Sequence, residues 1–136
     1  MIQMIPYKEK RFSILEYGVR NAASTSNILD ELTRLDFTYN LDVHTNSEMN
    51  RFPLSMSVTP RQLFIKFLPN KKYDVILLPE GIHNPEILQP MVHEKTVIII
   101  RFPKLLKRRL EKHFICSKMN EDHWYNGIYR CYLMVK

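Results

Sequence analysis

Apolar residues along the chain fall into two patterns. The runs "YDVILLP" and "KTVIIIRF" are nearly continuous and rich in β-branched residues, as expected of strands covered on both faces, hence of a parallel sheet, and "RFSILEY" reads as a further strand ahead of them. "STSNILDELTRL" instead sets Ile28, Leu29, Leu32 and Leu35 along one stripe, with Ser or Thr near its start, which predicts a helix. "FTYNLDVH" is a second strand, so the chain opens β, α, β. Pro53 and Pro60 break the middle of the sequence around a short strand in "QLFIKF", and "NPEILQPMV" reads as a short helix started near Pro85. After a basic helix in "PKLLKRRLEKH", the segments "FICSK" and "YRCYLMVK" read as a hairpin-like antiparallel pair around Gly127, the last strand running from Tyr129 to Val135. The expected fold class is α/β, a mostly parallel sheet flanked by helices with an antiparallel C-terminal strand. Length and the lack of a repeat or linker make residues 1–136 one domain.

Composition narrows this picture at a few points. Only 3 of 136 residues are glycine, well below the roughly 7% usual in proteins, so their placement carries information. Gly18 and Gly81 both follow carboxyl ends of expected strands, where open α/β sheets bind ligands. Cys116 and Cys131 sit in separate apolar segments, a placement that suits two thiols in a reducing compartment. No apolar run reaches the roughly 18 residues of a membrane span, and the first residues lack the order of a secretory signal. A cytoplasmic protein is therefore expected. The formal net charge of +6 is concentrated in Lys104, Lys107, Arg108, Arg109 and Lys112, a patch suited to phosphate or an acidic protein, or to a solvated helix face.

"ILEYGVRNAAST" resembles the first motif of class I S-adenosylmethionine-dependent methyltransferases, in the branch whose loop reads approximately E-x-G-x-x-x-G-x-S-T, the catechol-methyltransferase-like and cephalosporin-hydroxylase-like proteins. Glu16, Gly18, Ser24 and Thr25 match; Ala22 replaces the second glycine. "YDVILLPEGIHNPEIL" resembles the same branch's fourth motif, a strand ending in D-G-x-H, with Gly81 and His83 matching and Glu80 in place of aspartate. The resemblance implies a Rossmann-like fold, S-adenosylmethionine as cofactor, and a small-molecule or nucleic-acid methyl acceptor. It implies cofactor contacts at Glu16, Gly18, Ala22, Asp42 and Gly81: an acid for the ammonium group, missing side chains for close approach, and Asp42 for the ribose hydroxyls. Glu80 and His83 are the candidate catalytic groups, the imidazole as base or as a loop hydrogen bond. Asp74, at the start of its strand, reads as a strand-entry residue.

Metal-dependent members of that family place acids past the next strand, where this chain has Arg101, so no metal is expected. The main alternative is a non-catalytic α/β module that engages nucleic acid or protein through the basic 104–113 helix together with Trp124, Tyr125 and Tyr129. "EYGVRN" also resembles the start of a glutamine-amidotransferase branch, but Arg101 stands where that chemistry needs a cysteine nucleophile.

Overall fold

The computed structural model describes residues 11–36, 38–80, 82, 84–101, 114–118 and 128–133. Their elements in chain order are β1 (Phe12–Glu16), α1 (Ala22–Arg34), β2 (Tyr39–Thr45), α2 (Arg51–Ser55), β3 (Leu63–Ile65), β4 (Tyr73–Leu78), β5 (Val92–Arg101), β6 (Phe114–Lys118) and β7 (Ile128–Leu133). The strands form one sheet in the order β3-β2-β1-β4-β5-β7-β6. The first five are mutually parallel. β7 runs antiparallel to both β5 and β6, and Cys116 stands opposite Cys131 in that register.

The uninterrupted apolar runs are explained by the pleat, which sends alternate residues to opposite, equally covered faces. Ile14 lies beside Leu41 and Val75, and this face packs with Ile28 and Leu32 of α1 and Leu54 of α2. Leu15 lies beside Asp42 and Ile76, and that face packs with Ile82, Leu88 and Met91. Buried polar groups on these strands have partners. The Tyr73 hydroxyl donates to Asp42 (2.6 Å), which also receives Lys71 Nζ (2.6 Å). Thr96 Oγ1 donates to the Tyr73 carbonyl (2.6 Å).

Local structure departs from the sequence reading at four places. Helix α1 begins at Ala22, ahead of the Ser and Thr residues expected at its start, because the Asn21 side chain caps it by accepting from the Ala23 N–H (2.9 Å). The middle segment forms α2 in spite of Pro53, which sits in the helix's first turn, where its missing N–H has no partner to lose. Residues Pro85–Met91 form a 3-10 helix that contains Pro90. β5 begins at Val92, earlier than its apolar run: Tyr73 pairs with Val92 and Val75 with Val97, so an irregularity holding His93 to Thr96 interrupts the ladder. There Asp74 behaves as a strand-entry residue, accepting from the Ser13 N–H (2.9 Å) and meeting His93 Nε2 (2.8 Å). Lys95 N–H donates to His93 Nδ1 (3.0 Å), which assigns the ring proton to Nε2 and makes it the donor to Asp74. The basic residues Lys104, Lys107, Arg108, Arg109 and Lys112 lie outside the described residues, as do Trp124, Tyr125, Gly81 and His83.

Candidate ligand cleft at the sheet's switch point

Strand order reverses between β1 and β4: the chain moves from β1 outward through β2 to β3, then returns to lay β4 on the other side of β1. The connections leaving these two strands diverge and open a crevice at their carboxyl ends, the usual ligand position in such sheets. The loop after β1 is fastened on both sides. Tyr17 N–H donates to the Leu77 carbonyl of β4 (2.9 Å), and Val19 N–H to the His44 carbonyl of β2 (2.9 Å). Between them Gly18 adopts φ +70, in the left-handed region that favours glycine, with open space where a Cβ would project.

His44 completes that clamp. The Gly18 N–H donates to its Nδ1 (3.2 Å), leaving the proton of the neutral ring on Nε2, while the ring stacks on Tyr17 with centroids 4.5 Å apart and 4° between planes. Burial holds its pKa down at about 4, so the ring is neutral at physiological pH and keeps the lone pair that Gly18 needs. From the other face Thr45 Oγ1 donates to the Val19 carbonyl (2.7 Å), and Asn50 Nδ2 donates to the same carbonyl (3.2 Å) and to Thr45 Oγ1 (2.8 Å).

Glu16 lies under this loop rather than in the cleft. Its carboxylate is fully buried and accepts from Ser24 Oγ (2.6 Å) and Thr25 Oγ1 (2.5 Å), which ties the end of β1 to the first turn of α1. Desolvation pushes its pKa up, and the two hydroxyl donors partly offset that shift. Ser24 and Thr25 of the motif therefore have a direct structural use. Ala22, the motif's substituted glycine, opens α1 and packs partly buried against the core.

Two recesses open on either side of Gly18. The larger, about 440 Å³, is lined by Val19, Arg20, Asn46, Ser47, Met49 and Asn50. The smaller, about 150 Å³, is lined by Tyr17, Arg20, Asn46, Glu80, Ile82 and Asn84. Gly18, Arg20 and Asn46 belong to both, so the recesses form one cleft. Beyond Met49 lies a more apolar hollow of about 450 Å³ with Phe52, Pro60 and Leu63, rimmed by the Glu48–Arg51 ion pair. Its shoulder leaves large apolar side chains in solvent: Met49 is 88% exposed, Phe52 76% and Met56 78%.

Of the residues singled out from sequence, Gly18 and Glu80 line the cleft, Glu16 and Ala22 support it from beneath, and Asp42 stands apart. Asp42 was expected near the carboxyl end of β2, but it lies three residues before the last one, Thr45, and is occupied by Tyr73 and Lys71. The residues at the strand's end that face the cleft are Thr45, Asn46 and Ser47. Arg20, His44 and Asn50 were not anticipated. Arg20 alone had a visible signal, a charge between the two small positions of the glycine motif.

Solved structures that share this fold are class I S-adenosylmethionine-dependent methyltransferases, at TM-scores of about 0.5–0.65 and low sequence identity. MnmC2 from Aquifex aeolicus superposes with a TM-score of 0.65 at 12% identity, over 100% of this chain and 57% of that one. A methyltransferase from Pyrococcus furiosus gives 0.64 at 8% identity, over 93% and 77%. Human N-acetylserotonin methyltransferase, solved in complex with S-adenosylmethionine, gives 0.55 at 10% identity, over 90% and 48%. The chain thus spans roughly half the length of two of these three proteins. No family model matches the sequence, and no curated protein does. At such identities the likeness defines the fold, a Rossmann-like methyltransferase fold, and leaves activity to the site. Among the described residues no helix is long and apolar enough to cross a membrane.

Proposed function

We propose that the chain binds S-adenosylmethionine in the switch-point cleft and acts as a methyltransferase or a divergent methyltransferase-like protein. The observation that carries this reading is the cleft itself: open space over a left-handed Gly18, between parallel β1 and β4, on a fold shared with methyltransferases. The donor set suits the cofactor's parts. Its combined space falls in the range of small-molecule pockets, roughly 300–1,000 Å³. Asn46 and Ser47 offer the hydrogen-bonding groups a ribose needs, and Met49 offers an apolar surface for a base. The chain's own contribution is positioning: His44, Thr45 and Asn50 hold the Gly18 loop open, and Glu16 fixes that loop to α1.

The cofactor, when bound, supplies an activated methyl group, so transfer depends chiefly on alignment with the acceptor. Glu80, exposed at the cleft's rim, belongs to the binding surface in this reading rather than to proton transfer. The acceptor is a small molecule or a nucleic acid. Equilibrium dialysis of the folded chain with radiolabelled S-adenosylmethionine tests the reading, followed by methyl transfer to mixed RNA and small-molecule acceptors. Saturable binding supports it; no retention at millimolar cofactor refutes it.

A further inference from the structure

The chain has two cysteines, and the strand register sets one against the other. The antiparallel ladder between β6 and β7 runs from Phe114 beside Leu133 to Lys118 beside Tyr129, with Cys116 directly opposite Cys131 at its centre. Directly opposed residues of an antiparallel pair share a face of the sheet and have Cα atoms about 4.5 or about 5.5 Å apart, and a disulfide spans about 4.4–6.8 Å. Both kinds of pair therefore fall within reach of a bond. On its other side β7 lies against β5, where Cys131 stands opposite Ile98, a fully buried residue of the core formed with Leu15, Ile76 and Leu78. Ile98, Cys131 and Cys116 thus form one row across three neighbouring strands, ending on β6, the terminal strand of the described sheet. Spacing in the sequence places the two cysteines in separate segments and carries no sign of this register.

We propose that Cys116 and Cys131 are a modification site, a dithiol that closes reversibly to an intramolecular cross-strand disulfide by exchange with a small-molecule disulfide of the glutathione class. The thiolate of one cysteine attacks the small disulfide, which forms a mixed disulfide and releases one small thiolate. The thiolate of the other cysteine then displaces the second small thiolate. The protein loses two protons and two electrons, and the small disulfide gains them as two thiols. The new bond closes a loop of about 15 residues, which restricts the unfolded chain and so favours the fold. It also fixes the register of β6 on β7, since a slip of one residue would set Cys116 against Arg130 or Tyr132 and leave the two cysteines on opposite faces. A reducing compartment keeps the dithiol, so the bond marks a shift toward oxidising conditions.

Intact mass and thiol alkylation test this on the full chain, equilibrated in buffers of reduced and oxidised glutathione. Equilibrium is approached from both directions, by oxidising the reduced folded protein and by refolding it in the same buffer. The expected product is a single chain lighter by two hydrogens, with a proteolytic fragment in which Cys116 and Cys131 are joined and no lasting glutathione adduct. Cys116→Ser and Cys131→Ser are each expected to stop at a mixed disulfide with one glutathione. The oxidised chain is expected to melt about 10 °C above the reduced one, and that gap to vanish in both variants. Two free thiols or two glutathione adducts at equilibrium from both directions overturn the proposal. So does a bond found only between chains, or one that leaves the thermal midpoint unchanged or lowers it.

Discussion

Replacing Thr25 by Val tests the link between the end of β1 and helix α1, because it keeps the side chain's shape and removes only the hydroxyl that donates to Glu16 Oε1 at 2.5 Å. Helix propensity changes little, since Val and Thr rank together. The site is fully buried, so solvent cannot replace the lost donor. With Glu16 ionised, the bond is worth about 1.5–3 kcal/mol; with Glu16 protonated it becomes a neutral bond of about 0.5–1.5 kcal/mol. Burial raises the Glu16 pKa, so both regimes lie within reach of a folded protein. The expected loss is therefore about 2 kcal/mol near pH 8 and about 1 kcal/mol near pH 4. At a urea slope of about 1–3 kcal/mol per molar, the pH 8 loss moves the unfolding midpoint down by about 1 M. Urea titrations of both proteins at the two pH values provide the measurement. A loss below about 0.5 kcal/mol at pH 8, or one of equal size at both pH values, would refute the reasoning.

Glu16→Gln has the opposite sign. A raised folded pKa means that Glu16 favours folding while protonated and that this contribution is lost as pH rises, so Gln is expected to match or exceed the parent's stability at pH 8 by urea unfolding. His44, with its folded pKa lowered to about 4, stabilises the fold above its ordinary 6.5 and loses that contribution as pH falls toward 4; His44→Gln should remove up to about 3 kcal/mol of this pH dependence in the same titrations. Gly18→Ala meets no clash but must hold φ +70, so a cost of about 1–2 kcal/mol is expected by thermal unfolding, with calorimetry showing S-adenosylhomocysteine affinity falling at least about tenfold as the new methyl enters the cleft. Asp42→Asn should lower the thermal midpoint by weakening the Lys71 and Tyr73 contacts, yet leave S-adenosylhomocysteine affinity unchanged by calorimetry; a collapse of affinity in a folded variant would return Asp42 to the ribose.

The strands were legible in the sequence because they are covered on both faces, which turns the pleat's alternation into continuous apolar runs such as "YDVILL". Gly18 was legible because a chain this poor in glycine places one where φ must be positive. The partners of Asp42 were not legible, because an acid in a strand carries no mark of whether it faces a ligand or a group 29 residues on, here Lys71. His44 was invisible for a related reason. Its function depends on the register that brings β2 beside the loop after β1, and no local pattern encodes that contact. The irregularity at His93 to Thr96 is similar, since side-chain bonds to backbone there replace a ladder that the apolar run alone cannot place.

Amide chemical-shift mapping of the isotope-labelled chain during titration with S-adenosylhomocysteine most directly tests whether the switch-point cleft is the cofactor site. Saturable shifts are expected at Gly18, Val19, Arg20, Asn46 and Ser47, which border the cleft, with little change at Ser13 and Asp74 at the opposite end of the sheet. Saturable shifts centred elsewhere, or none at millimolar ligand in a folded sample, would contradict it.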